Sequence, residues 1–138
     1  ALSYLQKQVP QVETACFDMR NGLPFLHASA NIIIADLSLH YFSWIITQNI
    51  IAEIFRVLSN NGIFLCRVNA QHENIHELNM QLIEPGYYYN GKICRRYFRQ
   101  TDIIYLFSCH RILLIDSKTT NKYGDKQHIW EVLVQKKF

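Results

Sequence analysis

Long apolar runs are missing from this chain. No stretch approaches the roughly 18 residues that a membrane-spanning helix needs, and the first residues lack the basic-then-apolar layout of a secretory leader. Blocks of one charge are scarce as well. Apart from Arg95, Arg96 and Arg99 and the terminal pair Lys136 and Lys137, the basic residues are scattered, and the formal net charge is only +3. Electrostatics therefore announce neither a nucleic-acid partner nor a membrane one. Cysteine pairs of the C-x-x-C kind are absent, since Cys16, Cys66, Cys94 and Cys109 lie far apart. Cys16 and Cys66 fall inside apparent strands, so reduced thiols in a core are expected rather than disulfides. No repeat, low-complexity tract or Pro/Gly-rich linker divides the 138 residues, which predicts a single domain spanning 1–138. What is present, 49 % hydrophobic and 13 % aromatic residues, is enough for a solid core. A cytoplasmic globular protein is the expectation.

The chain is organised around Ile32 to Asn69. Ile32 to Ala35 is β-branched, too short for a helix and without polar alternation, which predicts a strand buried on both faces. A loop, Asp36 to Phe42, follows. From Ser43 the period changes: Ile46, Ile50, Ile54, Val57 and Leu58 share a stripe with Ile51 and Phe55 beside it, while Gln48, Asn49, Glu53 and Arg56 fall elsewhere. This predicts an amphipathic helix capped by Ser43 and stopped by Ser59, Asn60, Asn61 and Gly62. Ile63 to Val68 reads as a second strand. Strand, helix and strand at this spacing form a βαβ unit, whose strands must be parallel. Ligands in such sheets bind beyond the carboxyl ends of the strands, here Asp36 to Phe42 and Asn69 onward.

Elsewhere the patterns are shorter. Ala1 to Gln8 reads as a short helix ended by Pro10, and Val12 to Phe17 as a strand ending at Asp18. Gln71 to Ile83 carries Ile75, Leu78, Leu82 and Ile83 at helical spacing until Glu84, Pro85 and Gly86. Tyr87 to Gly91 looks like a turn between short extended pieces, and Thr101, with Asp102 behind it, opens a short helix through Phe107. Cys109 to Asp116 and His128 to Gln135 read as strands joined without a helix, hence antiparallel.

Taken in order, Asp18, then Leu23, Pro24 and Phe25, then Leu39, His40, Tyr41 and Phe42, then Glu53, Ile54, Arg56, Val57 and Leu58, then Gly62, resemble the second half of a class I S-adenosylmethionine-dependent methyltransferase of small bacterial type. The family's pattern is D-x-x-x-L-P-F, a fourth strand ending in L-H-Y/H-F, a helix with E-I-x-R-V-L and a glycine before the fifth strand. The resemblance implies an α/β fold: a Rossmann-like methyltransferase sheet, mostly parallel with an antiparallel C-terminal strand and missing the first two strands, so that the chain is the C-terminal two-thirds of the domain. It implies methyl transfer from S-adenosylmethionine to a small-molecule acceptor. The family's glycine-rich E/D-x-G-x-G-x-G loop has no counterpart, because none of the five glycines makes a G-x-G. The isolated chain is accordingly expected to bind cofactor poorly, and a non-catalytic relative that uses the fold to bind a partner is the alternative.

By the same resemblance, Asp18 and Met19 would hold the adenine, with Asp18 accepting from its amino group. The other reading of Asp18 is a cap on the following turn. Ala35, Asp36 and Leu37 would supply backbone near the methionine part, and His40 would line the space near the transferred methyl. His40 is the candidate general base, although an in-line displacement needs positioning more than proton removal. Gly91 to Phe107 resembles the substrate-side insertion and would help cover the acceptor. His72, Glu73 and His76 match H-E-x-x-H, a zinc pattern, but no third ligand is fixed by spacing and no metal is expected. Arg95, Arg96 and Arg99, interleaved with Tyr97 and Phe98, read as an acidic-substrate or nucleic-acid patch, or as an alternating strand or loop with its arginines in water. In the family's strand order, 3-2-1-4-5-7-6, the strands at Val12 and Ile32 both lack a neighbour. Three outcomes follow: Val12 to Phe17 moves in beside Ile32, two chains pair through the exposed sheet edge as a homo-oligomer, or the chain is part of a longer protein.

Overall fold

A computed structural model describes residues 1–73, 79–122 and 124–138. In chain order the elements are α1 (Leu2–Gln8), a 3-10 turn Met19–Asn21, β1 (Ala30–Asp36), a 3-10 turn Leu39–Tyr41, α2 (Trp44–Val57), β2 (Leu58–Asn69), β3 (Gln81–Glu84), β4 (Tyr87–Tyr89), β5 (Cys94–Arg96), α3 (Gln100–Leu106), β6 (Arg111–Thr120) and β7 (Gln127–Gln135).

The βαβ unit is present. β1 runs parallel to β2, with Ile32 opposite Ile63 and Asp36 opposite Arg67. β7 inserts antiparallel between β2 and β6, giving a four-stranded sheet in the order β1-β2-β7-β6. Three of its strands therefore point the same way and β7 alone runs against them, the mixed α/β sheet read from the sequence. A separate three-stranded antiparallel sheet, β3-β4-β5, forms the insertion between β2 and α3.

The core lies on one face of the larger sheet. Ile50, Ile51, Ile54 and Phe55 of α2 pack on Phe64, Cys66 and Val68 of β2 and on Val132 and Val134 of β7, with Phe98, Ile103 and Phe107 closing the cluster. Each such side chain withdrawn from water contributes about 1.5–3 kcal/mol. The predicted helical stripe is thus the buried one.

Five expectations need correction. β1 is not buried on both faces: Ile32 and Ile34 are each 65 % exposed, because β1 is the sheet edge and pairs only with β2. In register, Ile34, Leu65, Leu133 and Leu114 form an apolar row across the face opposite α2. Val12 to Phe17 is not a strand and does not move in beside Ile32; it is irregular, largely exposed and without a ladder, since a strand needs a partner for its backbone groups. The helical reading of Gln71 to Ile83 fails at its end, where Gln81–Glu84 pairs with β4 as a strand; residues 74–78 lie outside the described residues, and with them His76 of the zinc-like pattern. No turn separates α2 from β2. The chain passes at Leu58 directly into strand, and the left-handed residue is Asn61 (φ 60°), while Gly62 is required for a close approach: a Cβ there would stand 2.8 Å from the Leu58 side chain and from the Ser59 carbonyl. Among the cysteines only Cys66 is a buried thiol, its pKa pushed up to about 12 by desolvation; Cys16 and Cys109 are exposed.

Candidate active site

The parallel pair β1 and β2 ends at Asp36 and Asn69, and the chain is then steered back over those ends. Leu37 takes a left-handed conformation (φ 51°) while its N–H still donates to the Arg67 carbonyl at 3.0 Å, which extends the ladder by one bond. Leu39, 1 % exposed, plugs the core and so fixes the 3-10 turn that carries His40. Between these pieces lies a cleft of about 400 Å³ lined by Asp36, Leu37, His40, Tyr41, Asn69, Arg95 and Gln127. It stands where βαβ topology predicts a ligand.

Asp36 is committed. Its carboxylate accepts two bonds from the Arg67 guanidinium at 2.7 Å each and one from Lys122 at 3.1 Å, and the Arg67 bonds hold its pKa below the usual carboxylate range. His40 is the opposite case. It is 4 % exposed, its Nδ1 has no hydrogen-bond partner, and its ring lies 4.5 Å from that of Tyr41. Burial first and the Arg95 charge second push its pKa down to about 4, so the imidazole is neutral at pH 7.

The β3-β4-β5 insertion is bolted to this turn. The Tyr87 hydroxyl donates to the Tyr41 carbonyl at 2.9 Å, and Arg96 Nε donates to the Phe42 carbonyl at 3.1 Å. Arg96, 3 % exposed, also donates to the Pro85 carbonyl and pairs with Glu84, and its guanidinium lies 5.4 Å from the centre of the Trp44 ring and 5.1 Å from that of Tyr87. Glu84 in turn accepts the Trp44 N–H at 2.5 Å. That N–H is one of the orphan donors at the start of α2; Ser43 occupies the cap position without a side-chain bond. The three arginines read together in the sequence therefore differ: Arg95 lines the cleft, Arg96 is buried in a network, and Arg99 is exposed and paired with Asp102. Glu84 and Gln127 escaped sequence reasoning as site residues, and so did the buried role of Arg96. The Glu84 and Phe42 partners of Arg96 are 12 and 54 residues away, so no local spacing flags them.

Of the predicted site residues, Asp36, Leu37 and His40 line one cleft, with Ala35 buried behind them in register with Cys66. Asp18 and Met19 are not part of that lining. Asp18 caps the turn Met19–Asn21, accepting from the Arg20 N–H at 2.9 Å and from its guanidinium, bonds that hold its carboxyl down to about 2. The capping role weighed from the sequence is therefore present, and Met19 packs on the core. His40, with its unpartnered Nδ1 in a cleft at the strand ends, fits the reacting end of a sulfonium cofactor, whereas much of the Asp18 carboxylate is already occupied. A larger cleft, about 690 Å³, lined by Trp44, Leu82, Glu84, Tyr88, Arg96 and Tyr105 among others, shares no residue with the first. Among the described residues no three His, Cys, Asp or Glu side chains could together hold a metal ion, and no helix is long and apolar enough to cross a membrane.

The family model described as a methyltransferase domain matches residues 1–66. No curated protein matches the chain by sequence. Among solved structures, the fold is similar to an S-adenosylmethionine-dependent methyltransferase from Methanosarcina mazei (TM-score 0.75, 18 % identity, 85 % of this chain and 64 % of that one). It is also similar to the 1,6-didemethyltoxoflavin-N1-methyltransferase of Burkholderia thailandensis, solved with 1,6-didemethyltoxoflavin and S-adenosylhomocysteine bound (0.73, 14 %, 99 % and 56 %). A third is a methyltransferase-like protein of Bacillus halodurans (0.72, 12 %, 99 % and 77 %). The chain thus spans about three-fifths of the length of the first two. Residues 1–66 match the methyltransferase domain, and the chain as a whole has the fold of the class I S-adenosylmethionine-dependent methyltransferases.

Proposed function

We propose that residues 1–138 form one unit, the carboxyl-terminal two-thirds of a methyltransferase catalytic domain, which moves a methyl group from S-adenosylmethionine to a small-molecule acceptor. The observation that carries this reading is the cleft at the carboxyl ends of parallel β1 and β2, lined by Asp36, Leu37 and a buried neutral His40. When bound, the cofactor supplies an electrophilic methyl on a sulfonium. In this reading the backbone of Ala35, Asp36 and Leu37 contacts its methionine part, and Asp18 with Met19 faces its adenine. His40 lies beside the methyl and orients the acceptor.

Proton removal is the lesser part of that role. A base whose pKa is about 4 takes a proton from a hydroxyl or amine only uphill, while its lone pair still accepts a hydrogen bond that fixes the nucleophile's direction. Asp36, bound to Arg67 and Lys122, holds the strand end rather than moving protons. The chain contains no G-x-G, so its affinity for the cofactor on its own is expected to be weak.

Titration of the ¹⁵N-labelled chain with S-adenosylhomocysteine tests the reading. Shifts confined to residues 18–19 and 35–42 support it. Shifts centred on the Trp44 and Tyr105 cleft, or none at millimolar ligand, overturn it.

A further inference from the structure

Among the described residues Arg95 is the one cation lining the His40 cleft; its side chain also hydrogen-bonds that of Tyr97, but its Nε is buried without a hydrogen-bond partner. A charged donor left unsatisfied in this way costs about 1–3 kcal/mol or more, which a fold tolerates where a ligand completes it. The other charge on the lining, Asp36, is taken up by Arg67 and Lys122 and cannot serve. His40, neutral in its buried position, adds no charge and leaves its own Nδ1 open in the same lining. The remaining lining groups, from Tyr41, Asn69 and Gln127, are neutral. The cleft is therefore left with one positive charge and open polar atoms on two of its side chains.

We propose that Arg95 is an anion anchor for the methyl acceptor, so that the acceptor is a small molecule bearing a carboxylate, held by the Arg95 guanidinium with its nucleophilic atom toward His40. This rests on the methyl-transfer reading. The carboxylate belongs to the acceptor because Arg95 stands on β5, in the insertion that Tyr87 and Arg96 tie to the His40 turn. The reacting end of the cofactor is itself cationic and is repelled by an unneutralised guanidinium. A charge-assisted, bidentate bond to a carboxylate satisfies Arg95 as no neutral group does.

Benzoate and its uncharged counterpart benzamide are the probes, each titrated into the full chain and followed by NMR, with and without S-adenosylhomocysteine. A charge-assisted bond predicts that benzoate binds about tenfold more tightly than benzamide. That ratio should vanish in Arg95→Gln and persist in part in Arg95→Lys, with the dispersion of each variant's spectrum showing that it folds. S-adenosylhomocysteine should leave benzoate in place. Equal affinities for the two probes, a ratio that survives in Arg95→Gln, or displacement of benzoate by S-adenosylhomocysteine would overturn the proposal, the last by giving Arg95 to the cofactor. Benzoate binding through Arg95 in a chain that never binds S-adenosylhomocysteine would instead sink the methyl-transfer reading and leave the anion site standing.

Discussion

Acidification from pH 7 to pH 5 should destabilise the protein through His40. In the folded chain burial and the nearby Arg95 hold its pKa at about 4, whereas an unfolded histidine titrates near 6.5. Between those values the unfolded chain binds the additional proton, so stability is greatest above about pH 6.5 and falls as the pH drops toward 4. Integrating the difference gives a loss on the order of 2 kcal/mol at pH 5, a large share of a small domain's stability. Asp18, Asp36 and Glu53, held below the ordinary carboxylate range by bonds from arginines, also lose stability on acidification, but only as the pH falls through the unfolded carboxylate value near 4, below this window. His110, stacked on Phe55 at 3.8 Å, is shifted in the same direction by burial. Its contribution cancels when the wild type is compared with His40→Leu. Urea denaturation at pH 7 and pH 5 is the assay: the wild type should lose about 2 kcal/mol more than the variant. A parallel loss in both proteins, or a His40 ring that titrates near 6.5 by NMR, would refute the argument that this side chain is buried and neutral.

Other outcomes follow from the same geometry. Glu84→Ala strips Arg96 of its carboxylate while leaving it 3 % exposed, and should cost about 3–5 kcal/mol in chemical denaturation; a cost below about 1 kcal/mol would mean that Arg96 reaches water. Gly62→Ala places a methyl 2.8 Å from Leu58 and the Ser59 carbonyl and 3.0 Å from the Asn31 carbonyl, so it should lower stability by about 1–3 kcal/mol with a corresponding fall in Tm. Ile34→Lys, at a site 65 % exposed on the edge strand, should change monomer stability by no more than about 0.5 kcal/mol. Sedimentation should show less self-association, and unchanged sedimentation of an associating wild type would rule out pairing through the β1 edge.

Periodicity alone carried the organising unit. The stripe Ile46, Ile50, Ile54 and Val57 specifies a helix, and apolar runs on either side specify strands that a helical crossover forces to be parallel. The position of the cleft at the loop Asp36 to Phe42 follows from that topology, and the resemblance to the methyltransferases singled out Asp36, Leu37 and His40 within it. The arrangement of β6 and β7 was legible for a similar reason, because two strands joined by a polar loop return antiparallel.

Tertiary structure decided whatever depends on distant partners. A run such as Ile32 to Ala35 looks the same at a sheet's centre and at its edge, and only the strand order shows that its solvent side is open. Val12 to Phe17 has a strand's composition, yet backbone pairing rather than propensity makes a strand, and no partner stands beside it. Asp18 offers an acceptor oxygen in either reading, and Arg20 claims it. Of three neighbouring arginines, Arg99 takes a local ion pair with Asp102, while Arg95 became a cleft wall and Arg96 a buried strut only because the insertion folded onto the start of α2 and met Phe42 there. The sequence by itself determined the local periods, hence the βαβ frame, and short-range pairs such as Asp18 with Arg20 and Glu53 with Arg56; the burial of His40 and Arg96 and the low proton affinity of His40 were decided by contacts between segments far apart in the chain, which no local pattern encodes.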